Sequence, residues 1–192
     1  MFYTVICFIL SCVSRVIYRV KVSGLENIPQ EGAFILCCNH IHSYDPALLA
    51  ITSTRRLRFM AKKELFRNPI KRFFFTNMGA FPVDRKAASM TSYRKAMNIL
   101  KEGTGLVIFS QGTKMKTLDI NSAKGGVALF AVKAKAPVVP VGISGSYFMF
   151  SSLKVRFGQA VTLDDYYGQR LSGDQIDEIM TGIMSRVEML VD

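Results

Sequence analysis

His40 and Asp45 are the residues of this sequence whose types and spacing best suit catalysis. They lie in the run Asn39-His40-Ile41-His42-Ser43-Tyr44-Asp45, which contains both histidines of the chain. An aspartate about one turn after a histidine can accept a hydrogen bond from one ring nitrogen and so fix the tautomer. The other ring nitrogen is then available to remove a proton near neutral pH. The pair therefore predicts an oriented general base.

The flanking segments place this pair between a buried strand and a helix. Residues 33–38 are continuously apolar, as expected of a strand inside a sheet, and residues 45–52 favour a helix. Other strands are predicted at 20–23, 58–61, 80–83, 105–109, 138–143 and within 154–162, and other helices at 68–77, 89–101, 125–133 and 172–190. This alternation predicts an α/β fold, a single domain in which a mostly buried mixed sheet is flanked by helices.

The first 20 residues differ from the rest of the chain. Their apolar part ends before Arg15, which is short for a bilayer span of roughly 20 residues, and no signal-peptide cleavage site follows a basic region. Crowded aromatic and branched side chains closed by Arg15 and Arg19 predict a helix in the membrane interface. A helix packed on the core of the domain is the alternative. The predicted organisation is an N-terminal interfacial anchoring helix over 1–20 and a catalytic domain over 21–192.

The charge balance points to a polyanionic partner. The 192-residue chain has a net charge of +11, which suits an anionic membrane surface, an acidic carrier protein or nucleic acid. A basic belt interleaved with aromatic residues consists of Arg55, Arg56, Arg58, Lys62, Lys63, Arg67, Lys71 and Arg72. No nucleic-acid-binding motif accompanies the belt, so a membrane surface or an acidic carrier is favoured.

The four cysteines are interpreted as small buried apolar residues in a reducing compartment. Cys7, Cys12, Cys37 and Cys38 all lie in apolar runs. A metal site is the alternative for Cys37 and Cys38 together with His40, His42 and Asp45. Their spacing matches no common zinc pattern.

Four blocks in chain order carry a family resemblance. They are Asn39-His40 with Asp45, Phe81-Pro82 with Arg85, the run Phe109-Ser110-Gln111-Gly112-Thr113-Lys114, and Val139-Pro140-Val141. In this order they resemble the motifs of the PlsC-like glycerol-phosphate and lysophospholipid acyltransferase superfamily, typified by 1-acylglycerol-3-phosphate acyltransferase. The resemblance covers about residues 20–145, and Lys124-Gly125-Gly126 is similar to the lysine-glycine element that follows the third motif.

The resemblance implies transfer of a fatty acyl group from acyl-CoA or acyl-carrier protein to the free hydroxyl of lysophosphatidic acid, which gives phosphatidic acid in phospholipid biosynthesis. His40 is then the general base and Asp45 orients it. The thioester is already activated, so no protein nucleophile, cofactor or metal is implied. The implied substrate-binding residues are Arg85, Gln111, Gly112, Thr113, Lys114 and Lys124.

The same resemblance implies a location at the cytoplasmic face of the cell membrane. The protein would be peripheral or monotopic there. Its partners would be the acyl donor, a lysophospholipid acceptor and the anionic membrane surface, and not nucleic acid.

The third motif departs from the family pattern. Ser110 stands in place of a proline, Gln111 in place of a glutamate and Lys114 in place of an arginine. Gln111 retains a hydrogen-bond acceptor without the negative charge, and Lys114 retains the positive charge without the bidentate fork. The alternatives left open are an acyltransferase for a different lysolipid acceptor and a weak or non-catalytic lipid-binding relative.

Other common enzyme patterns do not fit. An α/β-hydrolase needs a histidine after its nucleophile and its acid, but no histidine follows position 42. The phosphate-binding loop of nucleotide hydrolases and the glycine fingerprint of dinucleotide-binding folds are both absent from the sequence.

Overall fold

The computed structural model describes residues 2–83, 90–110 and 125–191. A seven-stranded sheet lies at the centre of this part of the chain. Its strands are β1 (Arg19–Ser23), β2 (Phe34–Cys38), β3 (Leu57–Lys62), β4 (Ala80–Val83), β5 (Gly105–Phe109), β6 (Val138–Gly145) and β7 (Ser152–Phe157). Their spatial order is β1-β7-β6-β2-β5-β3-β4. Strands β6 and β7 are antiparallel, whereas the other neighbouring pairs are parallel. The predicted mixed sheet is confirmed.

Helices cover both faces of this sheet. The described helices are α1 (Phe2–Ile17), α2 (Asp45–Thr52), α3 (Pro69–Asn77), α4 (Met90–Lys101), α5 (Gly126–Ala134) and α6 (Gly173–Val191). Apolar residues of α4, α5 and α6 form one core layer with the sheet, and residues of α1 and α2 pack in the other. The α/β sandwich predicted from the sequence is therefore confirmed.

Strand β2 lies in the middle of the sheet and is completely buried. Ile35 and Cys37 point into the layer formed by α4, α5 and α6, whereas Leu36 and Cys38 point into the layer of α1 and α2. Successive strand side chains alternate between faces, so a strand covered on both sides needs an unbroken apolar run. This burial is why residues 33–38 lack polar side chains.

The cysteines only partly follow their interpretation. Cys37 and Cys38 are fully buried, and burial raises the pKa of the Cys37 thiol to about 12. Cys7 is half-buried, but Cys12 is exposed. The interpretation of Cys12 as buried is wrong, because it lies on the outward side of α1.

Helix α6 closes the layer of α4 and α5. Its start has a capping box, since Gln175 donates from its backbone N–H to Ser172 Oγ, and the Ser172 N–H donates to Gln175 Oε1. One face of the helix is apolar and packs inward, with Ile179, Met180, Ile183, Met184 and Val187 buried. The other end of α6 passes so close to β6 that a Cβ on Gly142 would lie 2.5 Å from the backbone of Leu190. The absence of a side chain at Gly142 therefore allows this helix to reach the sheet.

Helix α1 has two different apolar faces. Tyr3, Ile6, Cys7 and Leu10 pack against the core layer of α2, which confirms for this face the alternative of a helix packed on the domain. The opposite face is apolar but exposed, at Val5, Phe8, Ile9, Val13 and Val16. None of the helices among the described residues is long and apolar enough to cross a membrane.

The basic belt is not one continuous surface. Arg55 donates to the carbonyl oxygens of Pro29, Gly32 and Gly103 and lies over the Phe34 ring. Arg55 therefore ties loops together at the amino ends of β2 and β5. The belt interpretation is wrong for this residue, because its guanidinium is used within the fold.

Candidate active site

The pair predicted to be catalytic, His40 and Asp45, lies where β2 ends and α2 begins. β2 ends at Cys38, and His40 follows after one residue. Asp45 is the first residue of α2, whose second residue is Pro46. Proline suits this position because the first turn of a helix has no partner for its N–H. The short connection brings the two side chains together at the carboxyl end of a central strand, where α/β folds commonly place their sites.

His40 and Asp45 form the contact predicted from the sequence. His40 Nδ1 lies 2.7 Å from Asp45 Oδ2, and both side chains are buried. The same oxygen accepts the backbone N–H groups of Ile41 and His42 at 2.8 Å each. A carboxylate can only accept, so Nδ1 carries a proton, and in the neutral imidazole Nε2 has the lone pair. The arrangement is that of an imidazole held ready to take a proton.

Tyr147 is a site residue that the sequence reasoning missed. Its hydroxyl donates to the second carboxylate oxygen, Asp45 Oδ1, at 2.5 Å. Burial, and then the neighbouring Asp45 charge, raise the pKa of Tyr147 well above its ordinary value. The hydroxyl is therefore a proton donor across the physiological pH range. No local pattern marks it, because 102 residues separate the two partners in the chain.

Two neighbours of the pair have other roles. Asn39 exchanges two hydrogen bonds of 2.8 Å with the backbone of Ile143 and so joins the end of β2 to β6. Its partner therefore lies on another strand and not within its own turn. His42 is exposed, and its ring stacks on Tyr147 at 4.2 Å between centroids.

An apolar cavity of about 610 Å³ opens beside His40. The imidazole stacks on the Phe109 ring at 4.2 Å between centroids, and both residues line the cavity. Lys62, a member of the basic belt, supplies a cation to the lining. The remaining walls come from α1, α2, β3, α3 and the residues that adjoin β3 and α3. They include Leu10, Ala47, Ala50, Phe59, Met60, Leu65, Phe74, Phe75 and Met78. The cavity can therefore bring a long apolar group against the imidazole of His40.

The metal alternative is not supported by the placement of its residues. Cys37 and Cys38 face opposite core layers, so they cannot join His40 around one ion. Across residues 2–83, 90–110 and 125–191 there is no group of three His, Cys, Asp or Glu side chains that could hold a metal ion.

The predicted substrate-binding residues lie outside the described residues. These are Arg85, Gln111, Gly112, Thr113, Lys114 and Lys124. What precedes them is described. Phe81 and Val83 of β4 are in the core, and Ser110 is buried with its hydroxyl donating to the Cys38 carbonyl. The second and third blocks therefore leave the sheet at the ends of strands β4 and β5, in the same sheet as the strand that precedes His40.

Comparison with known proteins assigns the chain to a family. Residues 19–144 match the family described as Acyltransferase. The chain belongs to the acyltransferase family. The matched range includes His40, Asp45 and all four sequence blocks, and the family resemblance stated from the motifs is confirmed.

Curated acyltransferases resemble the chain over most of its length. It is 32% identical over 153 residues to the 1-acyl-sn-glycerol-3-phosphate acyltransferase of Bacillus subtilis, covering 77% of this chain and 76% of that protein. It is 30% identical over 173 residues to the protein of the same name from Streptococcus pneumoniae, covering 86% of this chain and 63% of that protein. The chain is accordingly an enzyme of the acyltransferase class.

A solved acyltransferase shares the fold. The crystal structure of the 1-acyl-sn-glycerophosphate acyltransferase PlsC from Thermotoga maritima superimposes with a TM-score of 0.73. It covers 98% of this chain and 80% of that chain, at 24% sequence identity. The agreement extends the family assignment to the α/β architecture.

Proposed function

We propose that this acyltransferase transfers a fatty acyl group from acyl-CoA or acyl-carrier protein to the free hydroxyl of lysophosphatidic acid, forming phosphatidic acid. The observation that carries the proposal is His40, oriented by Asp45, in the wall of a large apolar cavity. The names of the curated relatives support the same acceptor. A general base beside an apolar cavity suits a reaction between an alcohol and an acyl thioester.

In the proposed reaction, His40 acts through Nε2, because Nδ1 is bonded to Asp45. Its Nε2 takes the proton of the acceptor hydroxyl as the oxygen attacks the thioester carbonyl. The tetrahedral intermediate then collapses, the new ester forms, and the thiolate leaves with a proton returned from His40. Asp45 stabilises the imidazolium that exists between the two steps.

The cavity is the proposed site of the acyl chain. Its walls are mostly aliphatic and aromatic side chains, and His40 lies at its surface. Burial of each methylene of an acyl chain contributes about 0.8 kcal/mol to binding. Because His40 lines the cavity, a chain bound there would have its carbonyl beside the proposed base. The acceptor phosphate is assigned to Arg85, Lys114 and Lys124 on the sequence motifs, with Gln111, Gly112 and Thr113 around it.

We also propose that α1 lies in the membrane interface. Its outward face exposes Phe8 at 71% and Val16 at 74%. The loop after β6 adds three consecutive exposed residues, Phe148, Met149 and Phe150, and the Phe150 N–H donates to the carbonyl of Ile17 at the end of α1. Exposed apolar side chains flanked by Arg15 and Arg19 suit an anionic bilayer. This contact would hold the enzyme at the cytoplasmic face of the cell membrane.

The function is tested with the purified full-length protein and a panel of lysolipids. Acyl-CoA and acyl-carrier protein are each supplied as donor, and ester formation is measured. The expected result is the highest kcat/KM with lysophosphatidic acid. A higher kcat/KM with an acceptor of another headgroup would replace the proposed substrate. Lipid binding without turnover on any acceptor would overturn the proposal.

A further inference from the structure

The buried carboxylate of Asp45 is held at both oxygens. Oδ2 accepts from His40 Nδ1 and from two backbone N–H groups, whereas Oδ1 accepts from the hydroxyl of Tyr147. The side chain of Asp45 has no exposed surface, so water does not supply a substitute for the hydroxyl at Oδ1. The Tyr147 bond therefore takes part in setting the orientation of the carboxylate.

The Tyr147 ring is itself fixed from several sides. It stacks on His42 with 4.2 Å between centroids and 22° between planes. The rings of Tyr18 and Tyr44 meet it edge to face, at 5.8 Å and 6.1 Å. An aromatic ring held by three others has little freedom, so its hydroxyl presents the donor in one place.

The segment that carries Tyr147 is also tied to the segment that carries His40. Tyr147 follows β6, which ends at Gly145. The paired hydrogen bonds of Asn39 with Ile143 join β6 to the residue directly before His40. The base, the acid and the tyrosine are thus connected by short, buried contacts.

We propose that Tyr147 is a positioning residue of the acyl-transfer reaction, which holds Asp45 Oδ1 so that Oδ2 stays aligned with His40 Nδ1. The proposal rests on the proposed role of His40 as general base. It adds a residue from the loop after β6 to the two residues of the histidine–aspartate motif. Tyr147 acts through Asp45 and does not touch the reacting atoms.

The hydroxyl also withdraws negative charge from the oxygen that faces the imidazole. Removal of the hydroxyl therefore changes both the charge and the orientation of the carboxylate that faces the imidazole. Other titratable or charged groups of the described residues lie around His40 and its partners Asp45 and Tyr147. They are Cys38 of β2, His42 and Tyr44 of the connecting turn, Tyr18 between α1 and β1, and Lys62 of β3.

The test is Tyr147→Phe, which removes the hydroxyl and keeps the ring. We expect kcat to fall about tenfold, the usual size of one hydrogen bond to an ionised carboxylate, with both KM values changed less than about twofold. We also expect the acid limb of the kcat/KM profile to shift relative to that of the wild type. The matched control is Tyr44→Phe, which removes a neighbouring hydroxyl bonded to Ser14 at 2.8 Å instead of to Asp45. The control should leave the acid limb in place.

Two results would overturn the proposal. One is an unchanged kcat and pH profile in Tyr147→Phe, and the other is the same shift in both variants. Rates are normalised to the folded fraction. If Tyr147→Phe lowers the melting temperature, the double variant Asp45→Asn/Tyr147→Phe decides, because it should be no slower than Asp45→Asn alone. Independent losses in the double variant would mean that Tyr147 does not act through Asp45.

The failure of this proposal is distinct from failure of the proposed function. If His40→Ala abolishes turnover while Tyr147→Phe does not change it, only the positioning role is wrong. If His40→Ala retains turnover, the base assignment itself is wrong.

Discussion

At the scale of residues, the main feature of the site is that Asp45 holds the His40 imidazole in one orientation. Asp45 accepts four hydrogen bonds, one of them from His40, the proposed general base. The remaining three come from Ile41, His42 and Tyr147, so the carboxylate is fixed even before substrate binds. Such preorganisation reduces the reorganisation needed in the transition state.

Replacing the base should stop catalysis without unfolding the protein. We expect His40→Ala to lower kcat by about 10²- to 10⁴-fold, the usual contribution of a general base. Initial rates at saturating donor and acceptor measure the effect, with the melting temperature as the control for folding. Turnover within a few-fold of wild type would contradict the base assignment.

Filling the cavity should change chain-length preference. Ala47 lies on α2 in the cavity wall, and Ala47→Phe adds a ring to the space proposed for the acyl chain. We expect kcat/KM for long-chain donors to fall about tenfold or more relative to a short-chain donor, since several methylenes lose their place. The short-chain donor is the internal control. An equal loss with every donor would show that the cavity does not hold the chain.

Gln111, which stands in place of the glutamate of the family motif, is the subject of a further prediction for a single residue. If a carboxylate at position 111 contributes to acceptor binding, Gln111→Glu should raise kcat/KM for lysophosphatidic acid, and Gln111→Ala should lower it. Steady-state kinetics with varied acceptor measure both. No gain from the glutamate would mean that the acceptor site of this chain is built around glutamine.

At the scale of elements, strands and helices follow local signals, and their arrangement does not. Helix α2 and strand β4 have the bounds that the sequence predicts. A proline at the second helical position of α2 and an apolar run in β4 specify them locally. No local signal indicates that β1 lies beside β7, or that β7 is antiparallel to β6. Tyr147 escapes prediction for the same reason, because its role depends on which strands become neighbours.

The close approach of α6 to β6 gives an element-scale prediction. Gly142→Ala places a Cβ 2.5 Å from the backbone of Leu190, and we expect it to lower the free energy of unfolding by about 1–3 kcal/mol, as overpacking does. Urea unfolding followed by circular dichroism measures the change.

Gly182 is the matched control for Gly142. It lies within α6, it is exposed, and a Cβ there meets nothing within 4 Å. Gly182→Ala should raise the free energy of unfolding by roughly 0.5–1 kcal/mol, because alanine loses less backbone entropy in a helix. Equal stability of the two variants would show that the helix can shift away from β6 at little cost.

At the scale of the whole molecule, the two faces of the sheet differ in the helices that cover them and in their exposed apolar surface. The side of α1 carries the cavity and the exposed apolar face, whereas α6 covers the other side. Because Tyr3, Ile6 and Leu10 of α1 pack on the core, deletion of residues 1–20 would disturb the domain. Substitution of exposed residues separates membrane contact from folding.

We expect the double variant Phe8→Glu/Val16→Glu to bind anionic vesicles at least about tenfold more weakly, because two apolar contacts are lost and two negative charges are added. Co-sedimentation with vesicles measures binding. The matched control is Met189→Glu, which alters a residue on α6 that is 73% exposed. Equal weakening by the control would show a general charge effect and not a contact by α1.

The pairing of β1 with β7 sets an order of events during synthesis. Arg19 and Ser152 are partners across that pair, although 133 residues separate them. At a translation rate of about 5–20 residues per second, roughly 7–27 s pass between the synthesis of β1 and that of β7. Helix α1 leaves the ribosome during that interval with its apolar residues still uncovered. The nascent chain thus has time to meet a bilayer, or a chaperone, before the sheet that will hold this helix is complete.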